Sequence, residues 1–275
     1  MKVILSLVGL AFWSGTSVFA AAGVVRAETI FGRSGQVQAE ISYEQTQDLY
    51  KNVHLKILRS GKIVFDDKVP QESEYDRPIG SLFNEDNQEN GNRLPVVDLD
   101  GDKEPEVIAD FFTGGAHCCI YSLIYRYDKQ ANRYNNIRHD WGNGGYRLKD
   151  LDKDGLPEFE SRDDRFAYAF TSYAASGYPL QIWQYRQGKM IDVTRRYPKL
   201  VQIHAQQLWQ TYRELRHKGD DGKGFLAAYL ADKYLLNQGQ DGWKKLQQNY
   251  RERDRAQFFA EVRKFLRRTG YIKVR

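Results

Sequence analysis

Apolar and polar residues alternate strictly over residues 36–43, where Val37, Ala39, Ile41 and Tyr43 are separated by Gln38, Glu40 and Ser42. A period of two predicts a half-buried strand. Residues 53–58 alternate in the same way, Arg59-Ser60-Gly61-Lys62 reads as a turn, and Ile63-Val64-Phe65 returns as a strand, so a hairpin is expected. Residues 70–95 are polar and rich in Glu, Asp, Asn and Gly, and a run of that length without its own pattern points to a mobile or functional loop. Strands are predicted next at 106–112, 117–127 and near 133–139, with a turn at 128–132. A second series follows: a strand at 158–162, an alternating segment at 166–172, a strand at 180–186, a turn at Gln187-Gly188-Lys189 and a strand at 190–193.

The period then changes. Val201, Ala205, Leu208, Trp209, Tyr212 and Leu215 share one face of a helix. A second helix is expected over about 223–237, and a short third one carries Trp243, Leu246 and Tyr250. The fourth should open at Asp254, whose carboxylate could cap free amides with Gln257 three residues on, and close at Thr269-Gly270.

The strands are punctuated by a motif that occurs twice. Residues 98–106 and 150–158 both read D-L-D-x-D-x-x-P-E, fifty-two residues apart. Carboxylates at positions 1, 3, 5 and 9 of a tight loop suit a hard cation with six or more oxygen ligands, and calcium is the expected ion. Asp98, Asp100 and Asp102 would each give one oxygen, Glu106 would close the shell, and the backbone carbonyl of Glu104 would add a ligand; Asp150, Asp152, Asp154, Glu158 and the carbonyl of Leu156 do the same in the second loop. Magnesium fits less well, because it dehydrates reluctantly. Gly155 stands at position 6, where a sharp turn favours positive φ, whereas the first loop has Lys103 there and its glycine at position 4. The second loop is therefore the better match of the two. Position 12 is Ala109 or Ser161, so the closing glutamate of an EF-hand is missing, and a strand follows in place of a helix.

The arrangement resembles the FG-GAP/VCBS repeats, whose calcium loops connect strands in the propeller blades of integrin heads. The resemblance covers about residues 94–190 and lies in the Asp-x-Asp-x-Asp-x-x-Pro-Glu cores. It implies metal ligands at Asp98, Asp100, Asp102, Glu106, Asp150, Asp152, Asp154 and Glu158. Two units, about 94–141 and 146–193, fall short of a closed ring. The expected fold is mainly β with an α-helical C-terminus: an incomplete propeller-like stack or a sandwich built on the repeat, followed by a small helical domain.

Charge divides the chain at the same place. Residues 28–198 hold 22 Lys/Arg and 28 Asp/Glu, a net of −6, and residues 199–275 hold 17 and 8, a net of +9. The expected organisation is a signal peptide at 1–27, a calcium-loop β domain at 28–198 and a basic helical domain at 199–275, with Lys244, Lys245, Arg263, Lys264, Arg267 and Arg268 on its outer faces. The signal peptide rests on Lys2, the apolar run from Val3 to Trp13 and the small residues before Ala27. An uncleaved anchor is the alternative, since residues 3–25 carry no charge. After cleavage no span remains, and a periplasmic or extracellular location is expected.

Two cysteines exist, Cys118 and Cys119, adjacent in Gly114-Gly115-Ala116-His117-Cys118-Cys119. They read either as a redox or soft-metal site with His117, as a vicinal disulfide, or as a glycine turn into a strand whose thiols point to opposite faces; the last is preferred. Arg162-Asp163-Asp164-Arg165 reads as a salt-bridged loop, and Phe166, Tyr168 and Phe170 as a sheet core or, with Tyr173 and Tyr178, a sugar-stacking surface. The five histidines show no zinc-ligand spacing, and no P-loop, nucleophile elbow or dinucleotide fingerprint occurs. The basic C-terminus with its aromatics has the footprint of a nucleic-acid binder, but export points to an anionic polysaccharide, a membrane surface or the acidic β domain itself, and such charges most often simply solvate a helix. An envelope protein or an anionic polysaccharide is the expected partner of the whole. The sequence thus reads as an exported calcium-binding module that acts by binding. The alternatives are an envelope metal-dependent hydrolase of a glycan or phosphoester, and a redox function at the cysteine pair.

Overall fold

The computed structural model describes residues 25–80, 93–116 and 118–273. The signal-peptide expectation falls almost wholly on residues outside that set, as do His117 and residues 81–92 of the long polar run. The described chain is mainly β, in several antiparallel sheets, with a C-terminal region of four helices.

The first sheet has the order β1-β2-β3-β4: Arg26–Ser34, Val37–Thr46, Leu49–Arg59 and Lys62–Lys68. The expected hairpin is its second half; β1, which the patterning did not reveal, pairs with β2 along its whole length. The second sheet comprises β5 (Arg77–Ile79), β6 (Val96–Val97), β7 (Glu106–Gly115), β8 (Cys118–Asp128) and β9 (Arg133–Gly142), with β5 and β6 both paired to β7. The third has the order β10-β11-β12-β13: Tyr146–Lys149, Glu158–Arg162, Leu180–Arg186 and Lys189–Asp192.

The sheets stack face to face, and β7 shows why. Its first six residues are all buried. Val107, Ala109 and Phe111 pack with Ile41, Leu55 and Ile57 of the first sheet, while Ile108 packs with Trp141, Phe159 and Tyr185 towards the third. A strand covered on both faces is apolar on both; Val107, Ile108 and Phe111 each contribute about 1.5–3 kcal/mol on burial, and only Glu106 and Asp110 interrupt the apolar run. The outer face of the third sheet presents Leu180 and Ile182 to Val201 of the first helix.

Four helices close the stack: α1 (Pro198–His217), α2 (Lys223–Leu235), α3 (Gly239–Asn249) and α4 (Arg255–Arg268). Pro198 begins α1, where its missing N–H costs nothing. α2 is apolar almost all round and forms the centre of the helical core. Segment 166–172 is not a strand. Short 3₁₀ turns span Asp164–Phe166 and Tyr173–Ala175, and Phe166 and Phe170 leave the sheets to pack on Phe265 of α4, while Tyr168 is exposed. The expected cap at Asp254 is also absent: its carboxylate accepts from the Tyr250 hydroxyl at 2.9 Å and pairs with Lys223 at 2.6 Å. Gly270 does adopt the left-handed conformation just past α4, at φ +84°.

Two buried carboxylates hold the layers together. Asp232 of α2 is fully buried; it accepts the Leu180 amide of β12 at 3.2 Å and meets His204 Nδ1 of α1 at 2.6 Å. Asp110 of β7 accepts from Ser122 of β8 and, at 2.9 Å, from the Tyr146 hydroxyl of β10, joining the second sheet to the third. Burial raises its pKa to about 6, against the pull of those two hydroxyls.

Asp232→Ala strips a buried amide and a histidine of their common partner and should cost about 2–4 kcal/mol by denaturant unfolding, with Asp232→Asn costing less. The Asp110 shift sets a pH window. The folded state holds a proton that the unfolded chain has released, so this contribution is complete below pH 4 and is lost as pH rises to about 6. Relative to wild type, Asp110→Asn should therefore gain stability between pH 4 and 7, by about 2–3 kcal/mol, and urea melts across that range will show whether the difference changes at all.

Candidate functional site

The two acidic loops lie between β6 and β7 and between β10 and β11, so each joins the first two strands of a four-stranded antiparallel meander. They are neighbours: the space above Gly101 of the first is filled by the Leu156 side chain of the second. Their backbones repeat one another. Positions 4 and 6 are left-handed in both, as Gly101 (φ +82°) and Lys103 (φ +65°), then Lys153 (φ +64°) and Gly155 (φ +90°). Glycine thus serves one of two strained positions in each loop, and lysine endures the other. The apparent irregularity of the first loop is an exchange of the same two residue types.

Most of the hydrogen bonds repeat as well. The carboxylate at position 1 accepts the amide of position 6 in both loops, Lys103 to Asp98 at 2.9 Å and Gly155 to Asp150 at 3.0 Å; its second partner differs, being Gly101 at position 4 in the first loop and Asp154 at position 5 in the second, at 2.8 and 3.2 Å. Glu106 accepts the Leu99 amide at 3.0 Å, and Glu158 the Leu151 amide at 2.9 Å. Asp102 accepts the Glu104 amide at 2.8 Å, and Asp154 the Leu156 amide at 2.9 Å.

Not all the expected ligands converge. Asp98, Asp100 and Glu106 bring one oxygen each within 4.8 Å of one another, and Asp150, Asp152 and Glu158 do the same. Asp102 and Asp154 stay outside these sets; Asp102 turns to Arg126, whose guanidinium it meets at 2.6 Å. Glu104, expected to offer only its backbone carbonyl, pairs its side chain with Arg59 at 2.6 Å. Glutamates 106 and 158 are fully buried. Each loop is roofed by the layer that follows: the Gln187 amide beside β12 donates to Asp100 at 2.9 Å, and the Tyr197 hydroxyl before α1 donates to Asp152 at 3.1 Å.

The register exposes one difference that spacing could not. Val107 pairs with Tyr125, and Phe159 with Trp183. Arg126 and Gln184 therefore hold equivalent places opposite the two glutamates. Gln184 donates to Glu158 Oε1 at 2.6 Å and satisfies it. The Arg126 Nε stands 3.7 Å from both Glu106 Oε1 and Asp100 Oδ2, and Glu106 Oε1 and Asp100 Oδ1 are buried without a hydrogen-bond partner. Burial, with Asp100 and Asp102 nearby, pushes the Glu106 pKa to about 8, although the Leu99 amide and Arg126 pull it down. The first loop thus keeps an internal cation and still has negative charge to spare.

Elsewhere, Cys118 and Cys119 are bonded to each other at the start of β8, so their sulfurs do not point to opposite faces as the preferred reading had them. The Cys119 amide donates to Thr113 Oγ1 at 2.9 Å. Asp163 caps the turn that follows β11, clasps Arg165 at 2.6 Å and accepts from the Tyr271 hydroxyl at 2.9 Å, a salt-bridged loop tied to the C-terminal end. His204 and His139 lie apart from the loops, one on Asp232 and one between Trp141 and Trp183.

Comparison with known proteins adds context. Residues 201–270 match the family model described as the sll0997 C-terminal domain. Over 167 residues the chain is 35% identical to the Synechocystis sp. protein described as "Probable thylakoid lumen protein sll0997", covering 58% of this chain and 49% of that one. Over 150 residues it is 34% identical to the Sinorhizobium fredii "Uncharacterized protein y4bJ", covering 54% of this chain and 23% of that one. The chain thus spans about half, or less, of the curated relatives it matches. No solved structure matches it.

In the presence of a chelator and at about pH 9, where Glu106 is ionised, Arg126→Gln should destabilise the protein by about 1–3 kcal/mol, because Glu106 and Asp100 lose their nearest positive charge. Glu106→Gln in the same background should recover much of that loss. A double-mutant cycle measures the coupling, and strictly additive effects would show that Arg126 does not compensate the buried glutamate.

Proposed function

We propose that this chain is an extracytoplasmic β-repeat module whose two acidic loops bind calcium, and that it acts by binding a partner. The observation that carries the reading is the duplicated geometry: three converging carboxylate oxygens, the amides of positions 2, 6 and 7 bonded to matching carboxylates, and a fully buried glutamate at position 9 in both loops. The donor set is all oxygen, as a hard cation requires. The partnerless buried oxygens of Glu106 and Asp100 are atoms that a cation would satisfy. Asp98, Asp100 and Glu106 would hold one ion, and Asp150, Asp152 and Glu158 the other. The matching four-stranded meanders and the FG-GAP/VCBS resemblance of the loop cores support a repeat origin. A relative described as a thylakoid lumen protein supports an extracytoplasmic compartment. Among the described residues no helix is long and apolar enough to cross a membrane.

The loops should differ in strength. Arg126 competes with an incoming ion in the first loop, whereas its counterpart Gln184 in the second is neutral, its amide oxygen held by Arg186 and Arg196 and its nitrogen on Glu158. Calcium, by holding the roofed loops in one arrangement, would fix the end of the stack from which both project.

Calorimetric titration of the full chain with calcium, alongside thermal melts in chelator, tests this. The expected result is two-step binding with a rise in melting midpoint; Asp152→Ala should remove the tighter step, and Arg126→Gln should strengthen the weaker one. No heat and no shift up to millimolar calcium would end the proposal.

A further inference from the structure

A second site lies in the helical region, far in sequence from the acidic loops. Trp209 and Arg213 of α1 stand one turn apart and face a stripe of α3 that carries Asp241, Lys244, Lys245 and Gln248 at helical spacing. Between them is an open cavity of about 490 Å³ lined by these six residues together with Asn249. Its floor is aromatic. The Trp209 ring packs on Tyr212 and Tyr229, and Lys245 Nζ sits 4.0 Å from the centre of the Trp209 ring and 5.4 Å from that of Tyr229. Lys245 is accordingly half-buried and not on the outer face that its sequence position implied.

The charges do not balance. Arg213, Lys244 and Lys245 bring three positive groups, and Asp241 a single negative one. Arg213 and Lys244 are exposed. Like charges gathered in a small space repel, and burial with Lys233 and Arg213 close by lowers the Lys245 pKa. The ring faces hold the ammonium in place but supply no counter-charge. The surplus of two positive charges is what a dianion cancels. A guanidinium, two ammonium groups and the Gln248 amide are donors that match phosphate oxygens. A phosphate monoester carries about −1.5 to −2 charges at neutral pH; a single carboxylate would leave the pocket positive.

We propose that the α1–α3 cavity binds a phosphate monoester, with Arg213 and Lys244 gripping the phosphate at the mouth and Lys245, held on Trp209, contacting it from the floor. The site lies within residues 201–270, the segment that matches the family model, and does not depend on whether the loops bind calcium.

Titration of the full chain with inorganic phosphate and with glycerol 3-phosphate, at constant ionic strength, is the direct test. Both should bind, and Arg213→Glu or Lys244→Glu should weaken them roughly tenfold or more, the loss of a charge-assisted hydrogen bond. These side chains are exposed, so the variants should fold, and circular dichroism will establish that they do. The double variant Lys264→Glu/Arg267→Glu on α4 changes the total charge by the same amount per site without touching the cavity, and should bind as wild type does. No measurable binding at millimolar ligand, or an equal loss in the α4 variant, would overturn the proposal. Co-sedimentation with phosphatidylcholine vesicles containing phosphatidic acid then identifies the source. Retention that glycerol 3-phosphate reverses and Arg213→Glu abolishes assigns a lipid headgroup; phosphate binding without retention assigns a soluble ester. Retention that ignores both would count against the pocket.

Discussion

A carboxylate removed from water must be met by donors or by opposite charge, and this requirement organises the molecule. Among the described residues six are buried: Asp76, Glu106, Asp110, Glu158, Asp163 and Asp232. Most reach across a boundary. Asp76 takes the Tyr121 hydroxyl of the second sheet; Asp110 takes Tyr146 of the third; Asp163 takes Tyr271 beyond the last helix; Asp232 takes the backbone of β12. Apolar packing supplies the bulk of the stabilisation between layers, but it is non-directional. The buried acids define which strand faces which neighbour.

Glu106 and Glu158 apply the same rule within a loop. Each draws in the amide of position 2 and so pins the loop to the strand that follows. Their surroundings then part company. A neutral amide completes one, while a guanidinium approaches the other without reaching hydrogen-bond distance. Two loops with one backbone therefore present two different electrostatic environments, and the distinction lies in a single residue on a neighbouring strand.

Much of this was legible in the sequence where local pattern decides the outcome. The acidic spacing located both loops, alternation placed β2 and β3, and the period of 3.6 found the four helices. What stayed hidden depends on distant residues. β1 and β10 carry too few alternating positions to stand out, and β1 is fixed by its pairing with β2. The 166–172 segment alternates like a strand, yet Phe166 and Phe170 are claimed by α4, a hundred residues away. Asp254 has the spacing of a cap but prefers a lysine and a tyrosine hydroxyl. Which carboxylates converge, and that Arg126 and Gln184 are counterparts, follows from register. A list of spacings does not contain it.

The central strand of the middle sheet has no face of its own in water. Both sides of β7 are covered, one by the first sheet and one by the third. Cutting the chain between its units would therefore uncover a broad apolar surface on whichever part kept that sheet. The boundary that the sequence shows between its two acidic-loop units is not a place where the protein can be taken apart. Synthesis must carry the ribosome past the third sheet before the second is fully sheltered, and until then the growing chain depends on whatever keeps exposed sheets from meeting one another.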